Sequence, residues 1–108
     1  MSLVYIKSES EYRNRLMNKQ YRTTIAMFSG KHCAPCKQIT PFYQTMARRY
    51  RNIQFLKIES TELPFLCQSS KVRGLPSFFF FQKGRKVYEI TGANQQSLSS
   101  AIKHYASK

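Results

Sequence analysis

The chain has 108 residues, the length of one ordinary domain, so a single unit over residues 1–108 is expected. With 42% hydrophobic, 14% aromatic and 21% charged residues it holds enough apolar matter to offset chain entropy, which excludes global disorder. Eighteen Lys and Arg against five Glu, with no Asp, give a net charge of +13. That charge is not a tail: residues 1–54 carry ten bases and two acids, residues 55–108 eight and three. Such an even spread fits a solvated surface, with a nucleic-acid-binding face as the sharper alternative. The longest apolar runs are four residues, far below the ~20 of a membrane span, so no membrane association is expected. The N-terminus lacks the apolar stretch of a secretory signal, so the chain is expected to be intracellular or already processed, with the cytoplasm as the expected compartment and the nucleus open to so small and basic a chain.

Taken in chain order, Leu3 to Ile6 is a short apolar strand, and Ser8 followed by Glu11 is a capping box opening a helix through Met17. Arg22 to Phe28 is a buried strand running into Ser29-Gly30. From Ala34 the spacing of Ile39, Phe42, Tyr43, Met46, Ala47 and Tyr50 predicts a helix, which Pro41 should kink. Ile53 to Ile58 is a second buried strand, and a short helix spans Glu62 to Ser70. After Gly74-Leu75-Pro76, two runs joined through Lys83-Gly84-Arg85 predict a hairpin; Asn94 or Ser97 opens the last helix. The order β-α-β-α-β-α-β-β-α predicts an α/β fold with helices on both faces of a sheet. Phe78 to Phe81 reads as a central strand buried on both faces rather than a base-stacking platform.

Three cysteines are too few and too odd in number for a disulfide scaffold, and two of them form Cys33-Ala34-Pro35-Cys36. A cysteine at the first turn of a helix faces free N–H groups and the positive end of the helix dipole, which favour thiolate over thiol; Lys31 and His32 act in the same direction. Cys33 is therefore the expected nucleophile. Cys36, three residues on and on the same helical face, can resolve a mixed disulfide formed on Cys33. The competing reading is half of a zinc site, but zinc wants four ligands and only Cys67, His32 and His104 remain, singly placed; no metal is expected.

Phe28, the Cys33-to-Lys37 motif, Pro41, Val72-Arg73-Gly74-Leu75-Pro76-Ser77, Phe80-Phe81, Lys83-Gly84 and Thr91-Gly92-Ala93 together resemble the thioredoxin family in order and spacing over essentially the whole chain. The resemblance implies a five-stranded mixed sheet flanked by four helices and a cis Leu75–Pro76 bond that turns the Leu75 backbone toward the sulfurs. It implies substrate contacts from His32, Ala34, Pro35, Leu75, Pro76 and Gly92 around the Cys pair. It also implies that no cofactor is bound, and that the Cys33–Cys36 disulfide is reduced by a thioredoxin reductase-type partner, flavin- and NADPH-dependent.

Four positions depart from the family pattern. His32 stands where the family has Trp, Ser29 where a second Trp is common, and Ala34 where Gly is usual. His32 is either an imidazole that favours the Cys33 thiolate when protonated or an exposed loop residue without effect. Met27 occupies the position of the family's buried Asp, which helps deprotonate the resolving cysteine, and Met carries no proton. Lys57 falls near that position with Glu59 two residues on along the same face, so Glu59 either pairs with Lys57 and replaces the missing acid or both reach solvent. Cys67 is expected in the core, with a regulatory or dimer-forming thiol as the alternative.

These readings lead to a protein-disulfide reductase, expected to be monomeric, with substrates biased toward acidic proteins by Lys31, Lys37, Lys71 and Arg73 around the motif. A weakly active binding module engaging anionic partners or nucleic acid is the second reading. An oxidant or isomerase is the third.

Overall fold

The computed structural model describes residues 3–107. Its elements follow the expected alternation: β1 (Leu3–Tyr5), α1 (Glu9–Leu16), β2 (Thr23–Ser29), α2 (Ala34–Arg49), β3 (Ile53–Glu59), α3 (Pro64–Ser69), β4 (Ser77–Gln82), β5 (Arg85–Thr91) and α4 (Gln95–Ala106). The five strands form one mixed sheet in the order β1-β3-β2-β4-β5. β1, β3 and β2 run parallel, while β4 is antiparallel to β2 and β5 to β4.

Local chemistry sets the helix ends. The Ser8 hydroxyl accepts the Glu11 N–H at 3.1 Å, as a cap should, but the Glu11 carboxylate reaches one residue further back, to the Lys7 N–H at 2.7 Å. α3 starts two residues later than the sequence predicts because Pro64 takes the first turn, where its missing N–H loses nothing. Of the two candidates for α4, Asn94 is the cap: its side-chain oxygen accepts the Ser97 N–H at 2.9 Å. α2 runs as one helix through Pro41. The hairpin turn is the pair Lys83-Gly84, both at positive φ (55° and 76°), and Arg85 already belongs to β5.

Period-two alternation along the central strands builds two cores. Met27, Phe55, Phe78 and Phe80 face α2 and α4, while Phe28, Leu56, Phe79 and Phe81 face α1 and α3. The four consecutive phenylalanines are thus divided between both sides of the sheet, each worth roughly 1.5–3 kcal/mol of burial. Tyr43 anchors the first core, edge-on to Phe55 at 5.3 Å and tilted against Phe78 at 5.5 Å. Its hydroxyl donates toward Ile25 O (3.1 Å) and Leu56 O (2.8 Å), tying α2 to β2 and β3. Among the described residues every buried side-chain polar atom has a hydrogen-bond partner.

Burial holds the Tyr12 and Tyr43 phenols well above the ordinary tyrosine range, with charge on Cys67 adding to the shift at Tyr12. Unfolded tyrosines lose their protons near pH 10, so above about that pH the unfolded state holds fewer protons than the folded one. Stability is therefore expected to fall above about pH 9.5, by about 1.4 kcal/mol per pH unit for each of the two tyrosines. Urea midpoints measured across that range check it; a midpoint unchanged up to about pH 11 refutes it.

Candidate active site

β2 ends at Ser29, and the chain turns through Gly30 to Cys33, whose N–H donates to Gly30 O at 3.3 Å. Cys33 is the N-cap of α2: its Sγ accepts the Cys36 N–H at 3.2 Å, and Pro35 stiffens the first turn. The two sulfurs are joined as a disulfide across a Cα–Cα distance of 5.3 Å. Their surroundings differ sharply. Cys33 is half-buried at the surface, whereas Cys36 is 1% exposed and packs in the core beside Met27 and Ile39.

The other wall of the site comes from the segment before β4. The Leu75–Pro76 bond is cis, Leu75 is 36% exposed, and Pro76 O accepts the Gly92 N–H at 2.8 Å, which fastens the loop after β5 to this wall. Gly30 joins the two sides. A Cβ there would lie 2.9 Å from Leu75 Cδ1 and 3.5 Å from Cys33 Cβ, so a side chain would require the tip of Leu75 to shift from where it meets the Cys loop. In the sequence Gly30 marks only the end of a strand; the sole trace of its second role is a glycine three residues before a cysteine.

The structure brings together Cys33, Cys36, Leu75, Pro76 and Gly92, with His32, Ala34 and Pro35 exposed on the rim. It does not bring Lys57 and Glu59 together. No ion pair links them among the described residues: the Lys57 ammonium sits 5.4 Å from the Tyr5 ring centre, and the Glu59 carboxylate accepts the Thr61 hydroxyl at 3.1 Å. Two residues of spacing put both on one face, but each finds a nearer partner, a ring on the adjacent strand β1 and a hydroxyl in the following turn. Met27, in register with Lys57 on β3 and Phe78 on β4, is fully buried in the same core cluster as Cys36. No carboxyl substitutes for it through the expected pair. Glu59→Gln is accordingly expected to keep disulfide-reduction rates within about twofold at every pH tested, and a rate loss confined to low or high pH would restore Glu59 as a proton carrier.

Cys67, expected in the core, is half-buried against the α1/α3 side of the sheet. Burial, aided by the Glu59 charge, pushes its thiol up from the usual cysteine range, the opposite of an activated nucleophile. Among the described residues no group of three His, Cys, Asp or Glu side chains is gathered as a metal site, and the Cys pair is spent on itself.

The thioredoxin family profile matches residues 3–104. The chain belongs to the thioredoxin family. It is 34% identical to the thioredoxin of Equus caballus over 98 residues, 91% of this chain and 93% of that one. It is 32% identical to the thioredoxin of Homo sapiens over 97 residues, 90% and 92% of the two chains. Among solved structures, a poplar thioredoxin h superposes with a TM-score of 0.94 at 28% identity, covering 100% of this chain and 99% of that one. The thioredoxin fold expected from the sequence is therefore present, and the chain is a protein-disulfide oxidoreductase whose redox centre is a cysteine disulfide. Thioredoxins use that disulfide without a cofactor, and the family implies thioredoxin reductase and disulfide substrates as partners. No described helix is long and apolar enough to cross a membrane.

Proposed function

We propose that this thioredoxin works as a single-domain, monomeric reductase of protein disulfides, with Cys33 as attacking and Cys36 as resolving thiol. The observation that carries the reading is the exposure difference between the sulfurs: Cys33 is within reach of a second chain, while Cys36, 1% exposed, is accessible only to Cys33. In the reduced protein the Cys33 thiolate, favoured by the Cys36 N–H and the helix N-terminus, attacks one sulfur of the substrate disulfide. A mixed disulfide forms and the other substrate sulfur leaves as a thiolate that takes up a proton. Cys36, on losing its proton, attacks Cys33 Sγ, releases the second substrate sulfur, and closes the Cys33–Cys36 disulfide. Two electrons have passed to the substrate. An NADPH-dependent flavoprotein reductase returns them.

Substrate chain lies along Leu75, Pro76 and Gly92, with His32, Ala34 and Pro35 as the opposite rim. The exposed Lys31, Lys37, Lys71 and Arg73 favour acidic substrates by steering. The cytoplasm, with access to the nucleus, is the proposed compartment. His32 contributes contact area to the rim in place of the family's Trp.

The reduction potential of the pair tests the direction of electron flow. Equilibration with glutathione buffers and mass counting of alkylated thiols is expected to give a value near −270 mV, roughly that of a reductase. A value at or above about −180 mV would make the protein an oxidant or isomerase and overturn the proposal.

A further inference from the structure

The pole of the sheet opposite the Cys pair holds a second feature. β2 begins there at Thr23, seven residues or roughly 20 Å before the strand delivers the chain to the Cys loop, and β3 begins there at Ile53. Two grooves flank the connection from α1 to β2. One, of about 490 Å³, is lined by Arg15, Arg22 and Arg51 together with Tyr21, Asn52 and Gln54. The other, of about 780 Å³, shares Tyr21 and Arg22 and adds Lys19 and Lys83. No carboxylate lines either groove, and none of these five cations has an ion-pair partner among the described residues. Of the chain's five acids, Glu9 pairs with Arg13 and Glu89 with Lys86, outside both grooves.

The smaller groove is built rather than merely charged. Arg15 is half-buried, and its Nη1 donates to Gln54 Oε1 at 3.4 Å. Gln54 is itself 3% exposed and donates both to Arg15 O and to Thr24 Oγ1 at 2.9 Å. One buried glutamine therefore contacts both the guanidinium and the backbone of the same arginine, which reduces the rotamer freedom lost when a ligand binds. The remaining Arg15 donors have no protein acceptor among the described residues. Three arginines lining one concavity with no counter-charge make a positive potential there, and the planar fork of a guanidinium matches the oxygens of a phosphate. The volume is that of a small-molecule site, not of an extended backbone track.

We propose that this groove binds a small, multiply charged phosphate ligand of the polyphosphate class, on Arg15, Arg22 and Arg51, independently of the Cys33–Cys36 centre. The same phosphate chemistry is offered by a nucleic-acid backbone, so the test separates the two sources. Inorganic triphosphate is titrated calorimetrically into the oxidised full-length chain at a fixed ionic strength of about 100 mM, alongside a short DNA duplex. One saturable site for triphosphate is expected. Arg22→Gln and Arg51→Gln, both at exposed positions that do not threaten folding, are each expected to weaken it at least about tenfold. Lys7→Gln removes the same charge at the other pole and is expected to change affinity by about twofold or less. Disulfide reduction by Arg22→Gln and Arg51→Gln is expected at the rate of the unaltered chain. Non-saturable binding, or a Lys7→Gln loss as large as that of Arg51→Gln, would show only the overall +13 charge at work and overturn the site. Duplex binding without a triphosphate site would overturn the small-ligand assignment.

Discussion

In a chain carrying Cys36→Ser, a covalent adduct with a protein-disulfide substrate is expected to accumulate, while Cys33→Ser yields none. The two substitutions leave different sulfurs. With Cys36 removed, Cys33 still stands at the surface at the helix N-terminus and can attack, but nothing inside the protein can displace the substrate from it. With Cys33 removed, the remaining Cys36 thiol is 1% exposed beneath the surface and meets no external disulfide. Turnover should fall at least about 1000-fold in both, since loss of a nucleophile that works through a covalent intermediate removes the pathway itself. Non-reducing electrophoresis, with dithiothreitol reversing the adduct, reads the outcome. A Cys67→Ser background keeps the third thiol out of the assignment. An adduct in Cys33→Ser and none in Cys36→Ser would reverse the two roles.

Tyr43→Ala is expected to lower the unfolding free energy by about 3–5 kcal/mol, and Tyr43→Phe by about 1 kcal/mol. The ring fills the centre of the α2-side core against Phe55 and Phe78, so truncation leaves a cavity that the flanking rings cannot close without leaving their own contacts. The phenylalanine variant keeps the ring and removes only the hydroxyl that bridges toward Ile25 O and Leu56 O. Against a typical total of about 5–15 kcal/mol, the first loss is severe and the second modest. Urea denaturation measures both. Tyr43→Phe should also shed one of the two tyrosines responsible for alkaline destabilisation, so its stability should fall less steeply above about pH 10 than that of the unaltered chain. Equal effects from the two substitutions would mean that the hydroxyl, not the packing, dominates.

Loss of the family's buried acid has a structural counterpart in this chain. Met27 shares an apolar core cluster with Cys36, and Lys57, its register partner on β3, carries its charge to the Tyr5 ring on β1. A carboxylate at position 27 would need a partner there, and the chain has removed the need by removing the charge.

Much of the molecule was legible from local patterns. Caps at Ser8 and Asn94, the apolar stripe of α2, the positive-φ turn at Lys83-Gly84 and the Phe78–Phe81 run each act within a few residues, and the physics that places them is the physics of one turn or one strand. The Cys pair was legible for the same reason, because a three-residue spacing at a helix start places both sulfurs on one face. What local spacing could not supply was the identity of neighbours. Lys57 and Glu59 share a face, but the sheet order sets Tyr5 of β1 beside Lys57, and that proximity crosses more than fifty residues of chain. Gly30 gained its second role only when Leu75, forty-five positions away, came to lie against it. Arg15 on α1, Arg22 just before β2 and Arg51 just before β3 gather at one groove because parallel strands bring their N-terminal ends to the same pole. The sequence by itself determined the elements and the redox chemistry, since both rest on short-range backbone and side-chain preferences. Which sulfur a partner can reach, what closes around it, and where the unpaired positive charge collects were decided by the tertiary structure, because exposure and convergence are properties of the packed sheet and not of any segment.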